Sequence, residues 1–132
     1  MPSIKLQKTF AAPASVVFEA LTLQKNLEQW FATEVIAFPK EGTYAAFAYG
    51  FDLNFKVYLL KLEQNKKVVW EFVDGGVEWD DSLISFELHE QNGKTKLFFE
   101  HRRLKPNDKW EKWKNSWRQA FDKLKAIVEK KA

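Results

Sequence analysis

The side chains whose types and spacing bear on chemistry are two histidines, one crowd of carboxylates and an unusual number of large rings. His89 alternates with Ser85 and Glu87 and is expected to face solvent. His101 shares parity with Thr95, Leu97 and Phe99 and is expected to face the apolar side of its strand. An imidazole there can serve as a hydrogen-bonded core residue or as a general base. The two histidines fall on different strands, and no H-x-x-x-H or two-His-plus-carboxylate set accompanies them, so no metal is expected. Without cysteine, the chain has no disulfides, cysteine-ligated zinc, iron–sulfur clusters or thiol nucleophiles. G-x-S-x-G, P-loop and G-x-G-x-x-G patterns are absent, and Gly75-Gly76 is an isolated turn. Asp74, Glu78, Asp80 and Asp81 crowd one loop and are expected to be solvated. Glu71 and Glu100 alternate with apolar neighbours and are expected to point outward. No catalytic residue and no cofactor follow from this inventory.

The rings are the anomaly. Six Trp, three Tyr and twelve Phe make 16% of 132 residues, more than a small domain easily hides. Trp110, Trp113, Trp117, Phe121, Leu124 and Val128 recur at steps of three or four, one stripe of a helix. Either these rings fill a solid core against Phe47, Trp70, Phe86 and Phe99, or they wall a pocket for an apolar ligand. Spacing alone favours the filled core.

Several elements must position them. Ile4, Leu6 and Phe10 mark a first strand, ended by Ala12-Pro13. Val17, Phe18 and Leu21 share a helical face, and Thr22 is placed to cap a second short helix through Leu27 and Trp30. Six strands follow, over Glu34–Phe38, Thr43–Gly50, Asn54–Glu63, Lys67–Val73, Ser82–His89 and Lys94–Arg102. Turn signals separate them, with Asn92-Gly93 the strongest for a hairpin. Asp108 and Glu111 resemble a capping box opening a helix of about 36 Å through Lys131. The expectation is one α+β domain over residues 1–132.

Charge is divided unevenly within a net +3. Residues 105–132 carry nine Lys/Arg against four Asp/Glu, and residues 1–104 carry twelve against fourteen. Acids interrupt the basic residues, as on the solvated face of an amphipathic helix. With no zinc-finger, helix-turn-helix or RNP-type pattern, no nucleic acid is expected. The opening Met1-Pro2-Ser3-Ile4-Lys5 has no secretory pattern, and no run reaches the ~18 apolar residues of a membrane span. The expectation is a cytoplasmic protein without a stable membrane anchor.

One strand, two short helices, six strands and a long final helix is the element order of the helix-grip fold. Phe10-Ala11-Ala12-Pro13, Val17-Phe18-Glu19-Ala20-Leu21-Thr22 and Leu27-Glu28-Gln29-Trp30-Phe31 resemble the amino-terminal signature of the START-like (SRPBCC) superfamily. Within it, the chain is most similar to the branch of the carboxy-terminal domain of the activator of heat-shock protein 90 ATPase. Ser82-Leu83-Ile84-Ser85-Phe86-Glu87-Leu88, Gly93-Lys94-Thr95 and Phe99-Glu100-His101 resemble that branch's final hairpin. Ser116-Trp117-Arg118-Gln119-Ala120-Phe121-Asp122-Lys123-Leu124 resembles its helix motif, which commonly has Gly-Trp at the Ser116-Trp117 position.

The resemblance implies a curved antiparallel sheet of about seven strands gripping the long helix, with rings facing each other across a cavity. It implies an apolar or amphipathic small-molecule ligand, lipid-like or aromatic. Trp113, Trp117, Phe121 and Leu124 would form one wall. Phe47, Tyr58, Trp70, Phe86 and Phe99 would form the other, with His101 as a polar contact. The alternative is a protein-interaction module of co-chaperone type. Third comes a cyclase or hydrolase with His101 as general base. Fold alone does not choose among them.

Overall fold

A computed structural model describes residues 3–48, 54–74, 79, 81–104 and 109–131. In chain order the elements are β1 (Ile4–Phe10), α1 (Ala14–Thr22), α2 (Gln24–Trp30), β2 (Glu34–Ile36) and β3 (Tyr44–Ala48). Then come β4 (Asn54–Glu63), β5 (Lys67–Asp74), β6 (Leu83–Gln91), β7 (Lys94–Arg102) and α3 (Trp110–Lys131). The strands form one seven-stranded antiparallel sheet in the order β1-β7-β6-β5-β4-β3-β2. This is the helix-grip α+β arrangement. Asp108, Gly50, Gly75, Gly76, Glu78 and Asp80, used above as cap, strand end, turn and loop acids, lie outside the described residues.

Turn chemistry sets the register. Asn92 (φ 55°) and Gly93 (φ 76°) both adopt the left-handed conformation that a two-residue hairpin matching the strand twist requires, and Gln91 pairs with Lys94. Asn65 (φ 62°) turns β4 into β5. The β4–β5 register slips between Lys56 and Val57 and again between Leu59 and Lys61, irregularities of the kind that bend a strand. Along β4, Phe55, Val57 and Leu59 turn to the core, and Lys56 and Leu60 turn away.

The helices are tied to the sheet by specific bonds. Pro13 has no side chain to cap α1, so the Ala14 N–H donates instead to Glu90 of β6 at 2.6 Å. The Ala11 N–H donates to Glu129 of α3 at 2.8 Å, which with Lys125 holds that carboxyl below the usual carboxylate range. Lys8 of β1 meets Asp122 of α3 at 2.6 Å. Thr22 does not cap α2. It ends α1, its hydroxyl donates back to the Phe18 carbonyl at 2.9 Å, and the extended Leu23 separates the helices. At the β2 edge, the Val35 and Ala37 N–H groups donate to Glu28 and Gln24 of α2, which covers the donors of an edge strand.

At about 1.5 Å per residue, the 22 residues of α3 run about 33 Å. Its stripe Trp113, Trp117, Phe121, Leu124 and Val128 is buried, while intervening residues such as Glu111, Arg118 and Lys123 are exposed. Burying each such ring contributes roughly 1.5–3 kcal/mol, so the α3 face is a main source of cohesion.

Candidate functional site

Along β4, Phe55 points inward. On β5, Phe72 pairs with Val57, follows Trp70 in parity and meets the Phe55 ring at 5.7 Å, and on β7 His101 follows Phe99. From α3, Trp113 and Trp117 lie one turn apart on the buried stripe. These five rings surround a sixth, Trp79, which enters from the β5–β6 connection.

The geometry is that of a box around an indole. Trp79 lies parallel to Phe55 (5.2 Å between centroids, 11°) and to Trp117 (5.9 Å, 13°). It meets Phe72 (5.2 Å, 68°), His101 (4.9 Å, 86°) and Trp113 (5.8 Å, 80°) edge to face. Both arrangements are favoured by the ring quadrupole, at about 0.5–1.5 kcal/mol per pair beyond area burial. Trp79 itself is only partly buried, whereas Phe55, Phe72, His101, Trp113 and Trp117 are buried. The ring is therefore a stopper: its body is in the box and part of it faces out.

Behind the box the remaining rings are in contact. Phe99 lies 4.6 Å from Trp117 and 5.0 Å from Phe121, and Phe86 lies 5.4 Å from Phe99 and 5.0 Å from Trp70. Phe31, at the end of α2, stacks on Trp117 (5.7 Å, 13°) and abuts Phe47 (4.9 Å). Leu124 is fully buried. Among the described residues these rings touch one another across the space between sheet and helix, and a void of about 10 Å³ between α1, α2 and the sheet holds no more than a water. A larger open groove, of about 490 Å³, lies at the β2–β4 edge. Its lining includes Glu28, Val35, Phe47 and Phe55, so it abuts the box at Phe55.

Of the sequence-predicted set, Phe47, Trp70, Phe86, Phe99, His101, Trp113, Trp117, Phe121 and Leu124 are brought together on the inner side. Tyr58 is not. It pairs with Tyr44 and Glu71 on the outer face, where its ring meets that of Tyr44 at 5.1 Å. Its neighbours Val57 and Leu59 take the inward positions, and a residue between them on a strand points the other way. Phe31, Phe55, Phe72 and Trp79 were missed. Phe72 was available from the parity of Trp70, and Trp79 from the oddity of an indole among acids, a ring that must find cover.

One polar chain crosses the box. The Ser82 hydroxyl donates to the Trp79 carbonyl at 2.6 Å, and Ser82 Oγ lies 2.9 Å from His101 Nε2. Because the single hydroxyl proton is committed to the carbonyl, Oγ must accept from the imidazole, which places the ring proton on Nε2. His101 Nδ1 is then a bare acceptor. Burial pushes the His101 pKa down to about 3 from 6.5, so the ring stays neutral at ordinary pH and is a weak base. Nδ1 is buried without a hydrogen-bond partner, and so is Trp117 Nε1. His89 lies on the outer face, against Glu87 at 2.9 Å. Among the described residues, no group of three or more His, Asp or Glu is placed to hold a metal ion, and no helix is long and apolar enough to cross a membrane.

Comparisons with known proteins agree with this architecture. A family model described as Activator of Hsp90 ATPase homolog 1-like protein matches residues 11–129. No curated protein matches the chain in sequence. Among solved structures, the chain is similar to the Aha1 dimer from Colwellia psychrerythraea, with TM-score 0.87 and 22% identity, covering 98% of this chain and 97% of that one. It is equally similar to protein MLL2253 from Mesorhizobium loti, with TM-score 0.87 and 20% identity over 99% of both chains. CalU16 from Micromonospora echinospora superposes with TM-score 0.75 and 24% identity, over 96% of this chain and 73% of that one. At these identities the likeness speaks for the fold.

Proposed function

The chain belongs to the family of Activator of Hsp90 ATPase homolog 1-like proteins, and on that premise we propose that it binds a planar apolar or amphipathic small molecule between its sheet and α3. The observation that carries this is Trp79. A partly exposed indole occupies a slot with parallel walls at Phe55 and Trp117, the environment that a flat aromatic or lipid-like ligand would use. The ligand enters as the Trp79 side chain rotates out, while the Trp79 carbonyl stays held by the Ser82 N–H and hydroxyl. The boxed indole is thus the unliganded state, and the ligand's affinity is lowered by the free energy of displacing it.

Calorimetric titration of the wild-type protein and a Trp79→Ala variant with 2-naphthol tests this. Both should bind, the variant at least tenfold more tightly. A wild-type protein that takes up no 2-naphthol, or binds it no more weakly than the variant, contradicts the reading. In this proposal residues 1–132 act as one START-like domain, in the reducing compartment that an absence of cysteine suits.

A protein-interaction role is the second reading. It is favoured by the exposed Ile36, Phe38, Tyr44 and Leu60 around the β2–β4 edge. The description of the Colwellia protein as a dimer makes a second copy the first partner to test, by sedimentation across a range of concentrations.

A further inference from the structure

Among the described residues, two buried polar atoms at the box have no partner, and they are opposite in kind. The Ser82 hydroxyl fixes His101 as the Nε2–H tautomer, so Nδ1 offers only a lone pair. Trp117 Nε1 offers only a proton. His101 is wholly inaccessible to solvent and Trp117 nearly so, and the two rings meet edge to face at 6.1 Å. Buried polar atoms are almost always paired, so an acceptor and a donor left over together call for one group that serves both.

We propose that His101 Nδ1 and Trp117 Nε1 form the polar end of the ligand site and recognise a single hydroxyl group, which donates to Nδ1 and accepts from Nε1–H. The inference rests on the ligand reading above and narrows it to phenols and alcohols on an apolar frame. A group that only accepts or only donates serves one atom. A carboxylate, ether or ketone accepts from Trp117 but opposes its lone pairs to those of Nδ1. An ammonium group donates to His101 and leaves the indole proton unpaired. A charged group would also be stripped of water beside five rings, with no opposite charge among the atoms it touches. The site therefore selects a neutral group with both a donor and an acceptor, and a hydroxyl carries the two on one oxygen. A water molecule has the same chemistry, and the experiment separates the two sources.

The test compares 2-naphthol with 2-methoxynaphthalene by calorimetry on the wild-type protein. The methoxy oxygen accepts but cannot donate. At a site without the pair, the hydroxyl would be desolvated for nothing, and the methoxy compound would bind at least as well. With the pair, 2-naphthol should bind about tenfold more tightly, the discrimination of one buried hydrogen bond. In Trp117→Phe, which keeps a ring in place but has no N–H, both compounds should bind about tenfold more weakly and the preference should persist, because only the hydroxyl donates to Nδ1. In the wild type, 2-naphthol should also shift the Trp117 indole N–H proton resonance. Equal binding of the two compounds, with the indole resonance unmoved, means that water serves the pair and overturns the hydroxyl assignment alone. Binding of neither overturns the ligand reading and the assignment with it.

Discussion

Replacing His101 with Gln should remove most of the acid sensitivity specific to the core. The imidazole is buried against Phe72, Trp79 and Trp117, and its pKa falls from 6.5 to about 3 in the folded state. Between those values the unfolded chain holds a proton that the folded chain does not, so stability rises with pH across the window and is lost as pH falls through it. At about 1.4 kcal/mol per pH unit, the complete penalty is about 5 kcal/mol near pH 3. At pH 5 it is about 2 kcal/mol relative to pH 8. Gln presents an amide that can still donate to Ser82 Oγ but does not titrate. Urea unfolding of both proteins at pH 8, 6 and 5 isolates the effect, because His89 and the carboxylates are common to both. The wild type should lose about 2 kcal/mol more than His101→Gln between pH 8 and pH 5, whatever their absolute stabilities. Equal losses would refute a neutral, buried imidazole at this position.

Three further outcomes follow from the packing. Phe121→Ala, which empties a fully enclosed position between Phe86, Phe99 and Trp117, should cost about 3–5 kcal/mol in urea unfolding. Glu90→Ala leaves the first N–H of α1 without its acceptor and should cost about 1 kcal/mol, with earlier loss of amide-exchange protection at Ala14 than elsewhere in the helix. Tyr58→Ala, on the outer face, should leave 2-naphthol affinity within twofold by calorimetry, whereas Phe55→Ala, which removes one wall of the box, should weaken it at least fivefold.

Periodic elements were legible from the chain because burial imposes a repeat on them. The stripe from Trp113 to Val128 reads as a helix at a glance, and Asn92-Gly93 announces its hairpin through the two left-handed conformations it alone tolerates well. Strand parity placed His101 with Phe99 on the apolar side of β7, and both are buried. Tyr58 falls on the outer face because β4 alternates regularly, with Phe55, Val57 and Leu59 turned inward. The box was illegible for a different reason. Trp79 stands in a connection, with no periodicity to say where it turns, and its five partners come from β4, β5, β7 and α3. Nothing in the spacing of the other rings says that a loop residue will close over them.

In the proposed function Trp79 holds the place of a ligand. A structure of the wild-type protein saturated with 2-naphthol tests this most directly. It should show the naphthalene ring parallel to Phe55 and Trp117, its oxygen between His101 Nδ1 and Trp117 Nε1, and the Trp79 indole outside the box. Trp79 still lying between Phe55 and Trp117, with the naphthol bound elsewhere, would contradict it.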